Sequence, residues 1–254
     1  MSRSEKLKIK GPYGMLSAVL GKPELAAGGK CPVVILMHGF MSNKNLEPLK
    51  SISRVLEESG IATLRFDFDG HGRSDGRFSD MTVLKEIEDA KAVYEYVAGL
   101  GFAGKIALLG HSQGGVVAGM LAGQLGAEKV ACVVQLSAAA VLRDDALNGV
   151  LMGKHYDPKN PPEFLRVLFH KVGRGYFQVA QALPIYEASA AYEGPVCLVH
   201  GKEDKIVPHS YSERYHSCYK NSELHLLDGE NHVLGKRRKE VVAISSDFLK
   251  KNLL

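Results

Sequence analysis

Ile106-Ala107-Leu108-Leu109-Gly110-His111-Ser112-Gln113-Gly114-Gly115 is the stretch from which the rest of the chain can be read. An apolar run stops at Gly110, Ser112 stands between flanking glycines, and residues 116–125 continue with helical character. The pattern is strand, sharp turn, helix. A serine at the apex of such a turn is held out of the backbone in a strained conformation, with its hydroxyl exposed and a helix N-terminus beneath it. Side chains at positions 110 and 114 would collide across the turn. A second Gly-x-Ser-x-Gly match, Gly72-Arg73-Ser74-Asp75-Gly76, lies several residues beyond its strand and precedes Arg77-Phe78-Ser79-Asp80 instead of an apolar helix. Ser74 therefore reads as a loop residue and Ser112 as the candidate nucleophile.

Outward from this turn, strands alternate with helices. Residues 31–37, 61–68, 105–109, 130–136, 196–200 and 223–227 read as strands, 31–37 wholly apolar and 105–109, 130–136 and 196–200 apolar but for one residue each. Residues 46–59, 81–98, 116–125, 208–218 and 241–249 read as helices. Residues 5–10 and 15–20, joined at Gly11-Pro12-Tyr13-Gly14, read as a hairpin at a sheet edge. Wholly apolar central strands between helices predict an α/β fold with a mostly parallel sheet covered on both faces. The segment 138–190 breaks the alternation: it carries Asp157-Pro158-Lys159-Asn160-Pro161-Pro162 and a run of aromatics but no apolar strand. Fifty residues exceed an ordinary connection, so the expectation is a single domain, 1–254, with an inserted cap at 138–190 over the carboxyl end of the sheet. An extra packing layer without a ligand role is the alternative.

Composition narrows the class. The hydrophobic and charged fractions, 45% and 24%, are those of an ordinary soluble globular protein, and 254 residues can bury a sizeable core without staples. A net charge of +4 with no basic stripe speaks against a nucleic-acid partner. The run Lys236-Arg237-Arg238-Lys239 reads as a solvated helix face. The charged, alternating N-terminus lacks the core of a secretory signal, and no apolar run is long enough to span a membrane. Cys31, Cys132, Cys197 and Cys218 are scattered, as expected of reduced thiols in a cytoplasmic protein. A homodimer stays open. No clustered ligand spacing points to a metal, and no cofactor is expected.

A serine hydroxyl needs a base within hydrogen-bond reach and a carboxylate to orient that base. On this kind of sheet the partners follow in the order Ser, Asp or Glu, His. The loop His200-Gly201-Lys202-Glu203-Asp204 offers two acids after a late strand. Asp204 is preferred for its shorter side chain, with Glu203 as the alternative. Among ten histidines, His232 follows the last strand, in Asp228-Gly229-Glu230-Asn231-His232, and is the candidate base. Two backbone N–H groups should hold an oxyanion: that of Gln113 and that of Phe40, in a loop His38-Gly39-Phe40 where Gly39 permits close approach. His111 is expected to pack or to form pocket wall, and His111 and Gly39 are placed with the residues around the substrate.

These segments, together with Phe66-Asp67-Phe68-Asp69-Gly70-His71-Gly72-Arg73-Ser74-Asp75-Gly76, resemble the α/β-hydrolase superfamily of serine esterases. The chain is more closely similar to the bacterial cinnamoyl (feruloyl) esterases. That likeness extends into the cap at Leu151-Met152-Gly153-Lys154-His155-Tyr156-Asp157-Pro158 and Gly175-Tyr176-Phe177-Gln178-Val179-Ala180-Gln181. The resemblance implies a cap-covered pocket, a small aromatic ester substrate and hydrolysis of hydroxycinnamate esters through an acyl-enzyme, without cofactor. It implies that the ring lies under the cap and that polar cap groups, with Tyr176 and Asp145 at the matching positions, meet the phenolic hydroxyl, whereas Met152 stands at a cap position that can be polar in relatives. General short-acyl carboxylesterase, lipase-like, thioester or peptidase activity on the same residues is the enzyme alternative, and a non-catalytic small-ligand receptor the remote one.

Overall fold

The alternation of side chains along one strand shows how the two layers are built. In β3 (Cys31–Met37), Val33, Ile35 and Met37 face one helix layer and Val34 and Leu36 the other, all with no solvent exposure. A strand buried on both faces has to be apolar throughout. The computed structural model describes residues 3–26 and 28–254; Met1 and Ser2, the start of the charged N-terminal stretch, and Ala27 lie outside the described residues.

The chain begins with β1 (Arg3–Lys10) and β2 (Met15–Lys22), an antiparallel hairpin at one sheet edge. After β3 follow α1 (Leu49–Glu58), β4 (Ala62–Phe66), α2 (Val83–Ala98), β5 (Ala103–His111), α3 (Gln113–Leu125) and β6 (Val133–Leu136). The excursion comprises α4 (Val141–Leu147), two hairpins, β7 (Val150–Leu151) with β8 (Lys154–His155) and β9 (Phe164–Val167) with β10 (His170–Gly173), then α5 (Arg174–Ala182) and α6 (Ile185–Ala190). β11 (Val196–Gly201), α7 (Ser210–Cys218), β12 (Ser222–Leu227) and α8 (Arg238–Leu253) complete the chain. The main sheet runs β1-β2-β4-β3-β5-β6-β11-β12, parallel from β4 to β12. This is the α/β-hydrolase architecture, with α1 and α8 on one face and α2, α3 and α6 on the other.

Burying a leucine or isoleucine stabilises by about 1.5–3 kcal/mol, so the two apolar layers carry the fold. Within the excursion, α6 packs on α3 like an ordinary sheet-covering helix, and a Cβ at Gly123 would strike the Ala188 carbonyl. The two hairpins escaped the sequence reading because neither joins the main sheet, and their strands are either two residues long or broken by charged and polar side chains. Cysteines 31, 132 and 197 are buried, Cys218 is half-buried, and all four are free. Among the described residues no helix is long and apolar enough to cross a membrane.

Candidate active site

The turn between β5 and α3 puts Ser112 at φ +56°, ψ −123°, in the left-handed half of backbone space that a serine rarely adopts. Its neighbours hold it there. The Ser112 N–H donates to Leu136 O (2.8 Å), and its carbonyl accepts from Gly115 (2.9 Å) and Ala139 (3.1 Å). A Cβ on Gly110 would run into the Gly114 backbone, and one on Gly114 into the carbonyls of Met37 and His38, so the turn closes only with glycine at both places.

His232 and Asp204 arrive from the loops after β12 and β11, at the carboxyl ends of the parallel strands. His232 Nδ1–H donates to Asp204 Oδ2 (2.7 Å), which leaves Nε2 to accept from the Ser112 hydroxyl (2.9 Å). Asp204 is fixed on its other side by N–H donors from Ile206 (2.9 Å) and Val207 (2.8 Å). His200 Nε2–H faces both Asp204 Oδ2 (3.1 Å) and Val207 O (2.9 Å), while its Nδ1 accepts from Ser212 (2.6 Å). Burial acts against the Asp204 carboxylate. The bonds from His200 and His232, the attraction to His232 once it is protonated and the Val207 N–H outweigh it and hold Asp204 well below the usual carboxylate range. Glu203 is exposed, its N–H bonded to Glu230 O, and takes no part.

The Gln113 and Phe40 N–H groups have no hydrogen-bond acceptor among the described residues and border the same cavity as Ser112. His38, buried and pushed down to about 3 by burial and by His71, lies with Nδ1 2.8 Å from Gly39 O and with Nε2 accepting from Phe68 N–H (3.2 Å). Holding the Gly39 carbonyl fixes the peptide plane to which the Phe40 N–H belongs. A Cβ on Gly39 would lie 2.8 Å from Ser112 Cβ and 3.3 Å from Oγ. Gly39 therefore serves close approach to the nucleophile and lies outside the cavity lining, where the sequence reading had put it.

Two further observations concern substrate contacts, the first of them a correction. His111 is buried away from the lining; its Nε2–H donates to the His232 carbonyl (2.9 Å), so it braces the base and not the substrate. Tyr176 does line the cavity, and its hydroxyl donates to Gln113 Oε1 (2.9 Å), so its ring and an accepting oxygen, but not its proton, are left for a ligand. Asp145 is half-buried in the lining, pushed up by burial and by Asp144. Met152, 46% exposed, sits at the cavity's edge. Ser74 is structural: its hydroxyl donates to Asp67 O (2.5 Å) and accepts from Ser17 N–H (2.8 Å), tying the edge hairpin down.

The cavity holds about 450 Å³ between Ser112 and walls formed by Phe40, Leu142, Leu151, Tyr176 and Val207. The Phe40 and Tyr176 rings lie 5.5 Å apart at 35°. A larger hollow of about 760 Å³ runs along the β1–β2 hairpin and touches none of these residues. Cys197, Glu223 and His225 bring potential metal-ligand atoms within 4.8 Å of one another at the β11–β12 edge, a grouping that parallel pairing creates and sequence spacing hides.

A serine hydroxyl bonded to a neutral imidazole, a held carboxylate behind it and free N–H donors beside it can perform acyl transfer. Residues 29–168, more than half of the chain, match the model of the Hydrolase_4 family, described as serine aminopeptidase, S33. The chain belongs to this family. Est1E from Butyrivibrio proteoclasticus, in a structure with ferulic acid bound, superposes with a TM-score of 0.92 at 32% identity, covering 97% of this chain and 98% of that one. Another Est1E structure gives 0.88 at 29%. Palmitoyl-protein thioesterase ABHD10, mitochondrial, of Rattus norvegicus is 27% identical over 74% of this chain and 66% of its own length. Protein ABHD12B of Homo sapiens is 26% identical over 75% of this chain and 51% of its own length. The chain thus spans about half to two-thirds of these curated relatives. Fold and family together make it a serine hydrolase of the α/β-hydrolase fold.

Proposed function

We propose that the chain hydrolyses esters of hydroxycinnamic acids, of the ferulate type, through an acyl-enzyme on Ser112. The observation that carries this reading is the apolar cavity beside Ser112, walled by the Phe40 and Tyr176 rings, in a chain similar along nearly its whole length to a protein holding ferulic acid. A flat aromatic acyl group needs apolar walls and few directed polar groups. Asp145 is the carboxylate in the lining that can accept a phenolic O–H, whereas the Tyr176 hydroxyl has its proton committed to Gln113 and can act towards a ligand only as an acceptor. The part of 138–190 that precedes α6 acts as the cap that supplies Asp145, Leu151 and Tyr176 to this pocket.

His232 takes the Ser112 proton as Oγ attacks the ester carbonyl, and the Phe40 and Gln113 N–H groups hold the oxyanion. Collapse breaks the carbonyl carbon–alkoxide bond, and His232 protonates the departing alcohol. Water, deprotonated by His232, then attacks the acyl-enzyme and releases the acid and free Ser112. Asp204 stabilises the imidazolium at both stages.

Thioester hydrolysis is the second reading, favoured by the likeness to the palmitoyl-protein thioesterase. Relative kcat/KM on methyl ferulate, 4-nitrophenyl butyrate and a palmitoyl thioester separates them. The proposal expects methyl ferulate to lead; a dominant palmitoyl thioester rate transfers the same residues to the second reading.

A further inference from the structure

Glu86 is a buried acid beside Gln113 to which acyl transfer assigns no task. It lies on α2 at 1% exposure, on the face that also buries Val83, Ile87 and Ala90. Its Oε2 accepts from Gln113 Nε2 (2.8 Å), and Gln113 Oε1 accepts from the Tyr176 hydroxyl (2.9 Å). Both ends of the Gln113 side chain are therefore held. Gln113 is the first residue of α3, directly after Ser112, and its backbone N–H is the oxyanion donor of the reaction above.

The other carboxyl oxygen is informative. Glu86 Oε1 faces His71 Nε2 at 4.0 Å, and both atoms are buried without a hydrogen-bond partner among the described residues. His71 Nδ1 lies 3.1 Å from the Asp69 carbonyl, so Nδ1 carries the ring hydrogen and Nε2 presents a lone pair. A carboxylate oxygen would face that lone pair with repulsion, whereas a carboxyl O–H matches it. The donors then run in one direction: Tyr176 to Gln113, Gln113 to Glu86, Glu86 towards His71, His71 to the Asp69 carbonyl.

The geometry points to Glu86, as a protonated carboxyl, being a positioning residue that acts through the Gln113 side chain to aim the oxyanion N–H and couple it to Tyr176 in the pocket wall. Electrostatics agree with that protonation. Burial, reinforced by Asp89 and only partly offset by the Gln113 bond, pushes Glu86 up to about 8, and burial pushes His71 down to about 4. The groups around them are Tyr176 from α5, Asp67, Asp69 and His71 from the loop after β4, His38 from the loop after β3 with its ring 5.0 Å from that of His71, His170 from β10 beside His71, and Asp89 one turn along α2. Asp89 is itself pushed up to about 7 by burial, with Lys85 acting in the opposite sense.

The inference rests on the acyl-transfer reading of Ser112 and Gln113, and the test separates the two. Steady-state kcat and KM for 4-nitrophenyl acetate are measured from about pH 6 to about pH 10 on wild type, Glu86→Gln, Glu86→Leu and Ser112→Ala, with thermal melting of each. Wild-type kcat should fall as pH rises through about 8. Glu86→Gln, whose amide accepts from Gln113 and donates towards His71 without ionising, should keep kcat and lack that fall. Glu86→Leu should lose kcat roughly ten- to hundredfold with KM within about twofold. Wild-type kcat in Glu86→Leu, or an unchanged alkaline fall in Glu86→Gln, overturns the assignment. The comparison of wild type with Glu86→Gln decides it even if the leucine variant does not fold. An inactive Ser112→Ala beside an unaffected Glu86→Leu removes only the role of Glu86, whereas an active Ser112→Ala removes the underlying reading as well.

Discussion

Replacing Asp204 by Asn tests the site through hydrogen-bond direction alone. Every contact of this carboxylate is with a donor: His232 and His200 on Oδ2, and the N–H groups of Ile206 and Val207 on Oδ1. An amide has one oxygen and one donor nitrogen, so either placement sets N–H against N–H. With the nitrogen towards His232, the ring must accept at Nδ1 and carry its hydrogen on Nε2, where it can no longer take the Ser112 proton. With the nitrogen reversed, two backbone N–H groups lose their acceptor. The expected loss in kcat is about 10³–10⁴-fold, or roughly 4–5.5 kcal/mol of barrier. Buried unpaired donors should also cost about 1–3 kcal/mol of stability. Initial rates on 4-nitrophenyl butyrate and urea unfolding of Asp204→Asn, with Glu203→Gln as control, measure both. An Asp204→Asn enzyme within tenfold of wild type, or a Glu203→Gln enzyme that loses activity, would refute the assignment of the acid.

Other expectations follow from the same contacts. Because Asp204 is held below its unfolded pKa, its contribution to stability is complete above about pH 4 and is lost as pH falls further; urea midpoints of wild type should drop there more than those of Asp204→Asn. His111 is pushed down to about 4 by burial and by the neighbouring His232, so its neutral form favours the fold above about pH 6.5. That contribution, roughly 3 kcal/mol, disappears as pH falls to about 4, and His111→Gln should flatten the acid side of the stability curve. Gly39→Ala, whose Cβ would press on Ser112 Cβ and the His111 carbonyl, should lower kcat at least tenfold and destabilise by about 1–3 kcal/mol in urea titration. Lys44→Met strips the buried Asp67 carboxylate of its Lys44 ion-pair partner and should destabilise by about 3–5 kcal/mol in urea titration.

How much of this was legible in the sequence depended on how local the signal was. The nucleophile turn is local, written in the glycines around Ser112, and the parallel core is written in wholly apolar strands such as Cys31–Met37. Asp204 and His232 followed from position after late strands, and the structure hydrogen-bonds them to each other and to Ser112. What stayed hidden depends on partners distant in the chain. The Tyr176 hydroxyl finds Gln113 63 positions away, and His111 finds the His232 carbonyl 121 positions away. The support of Asp204 by His200 and Ser212 lies across a loop and a helix, although His200 ending an apolar strand was a signal in plain view. Glu86 left one too: an acid in the apolar stripe Val83, Ile87, Ala90 of α2 has to find a buried partner. The hairpins of the excursion stayed hidden because Phe164–Val167 and His170–Gly173 pair only with each other.

The central claim is a ferulate-type acyl-enzyme on Ser112, and rapid acid quenching during turnover of a ferulate ester, followed by mass analysis of the peptides, tests it most directly. The account predicts a feruloyl adduct on the peptide carrying Ser112, absent from Ser112→Ala together with all turnover. Hydrolysis of the ester by Ser112→Ala, or an adduct on any other residue, would contradict it.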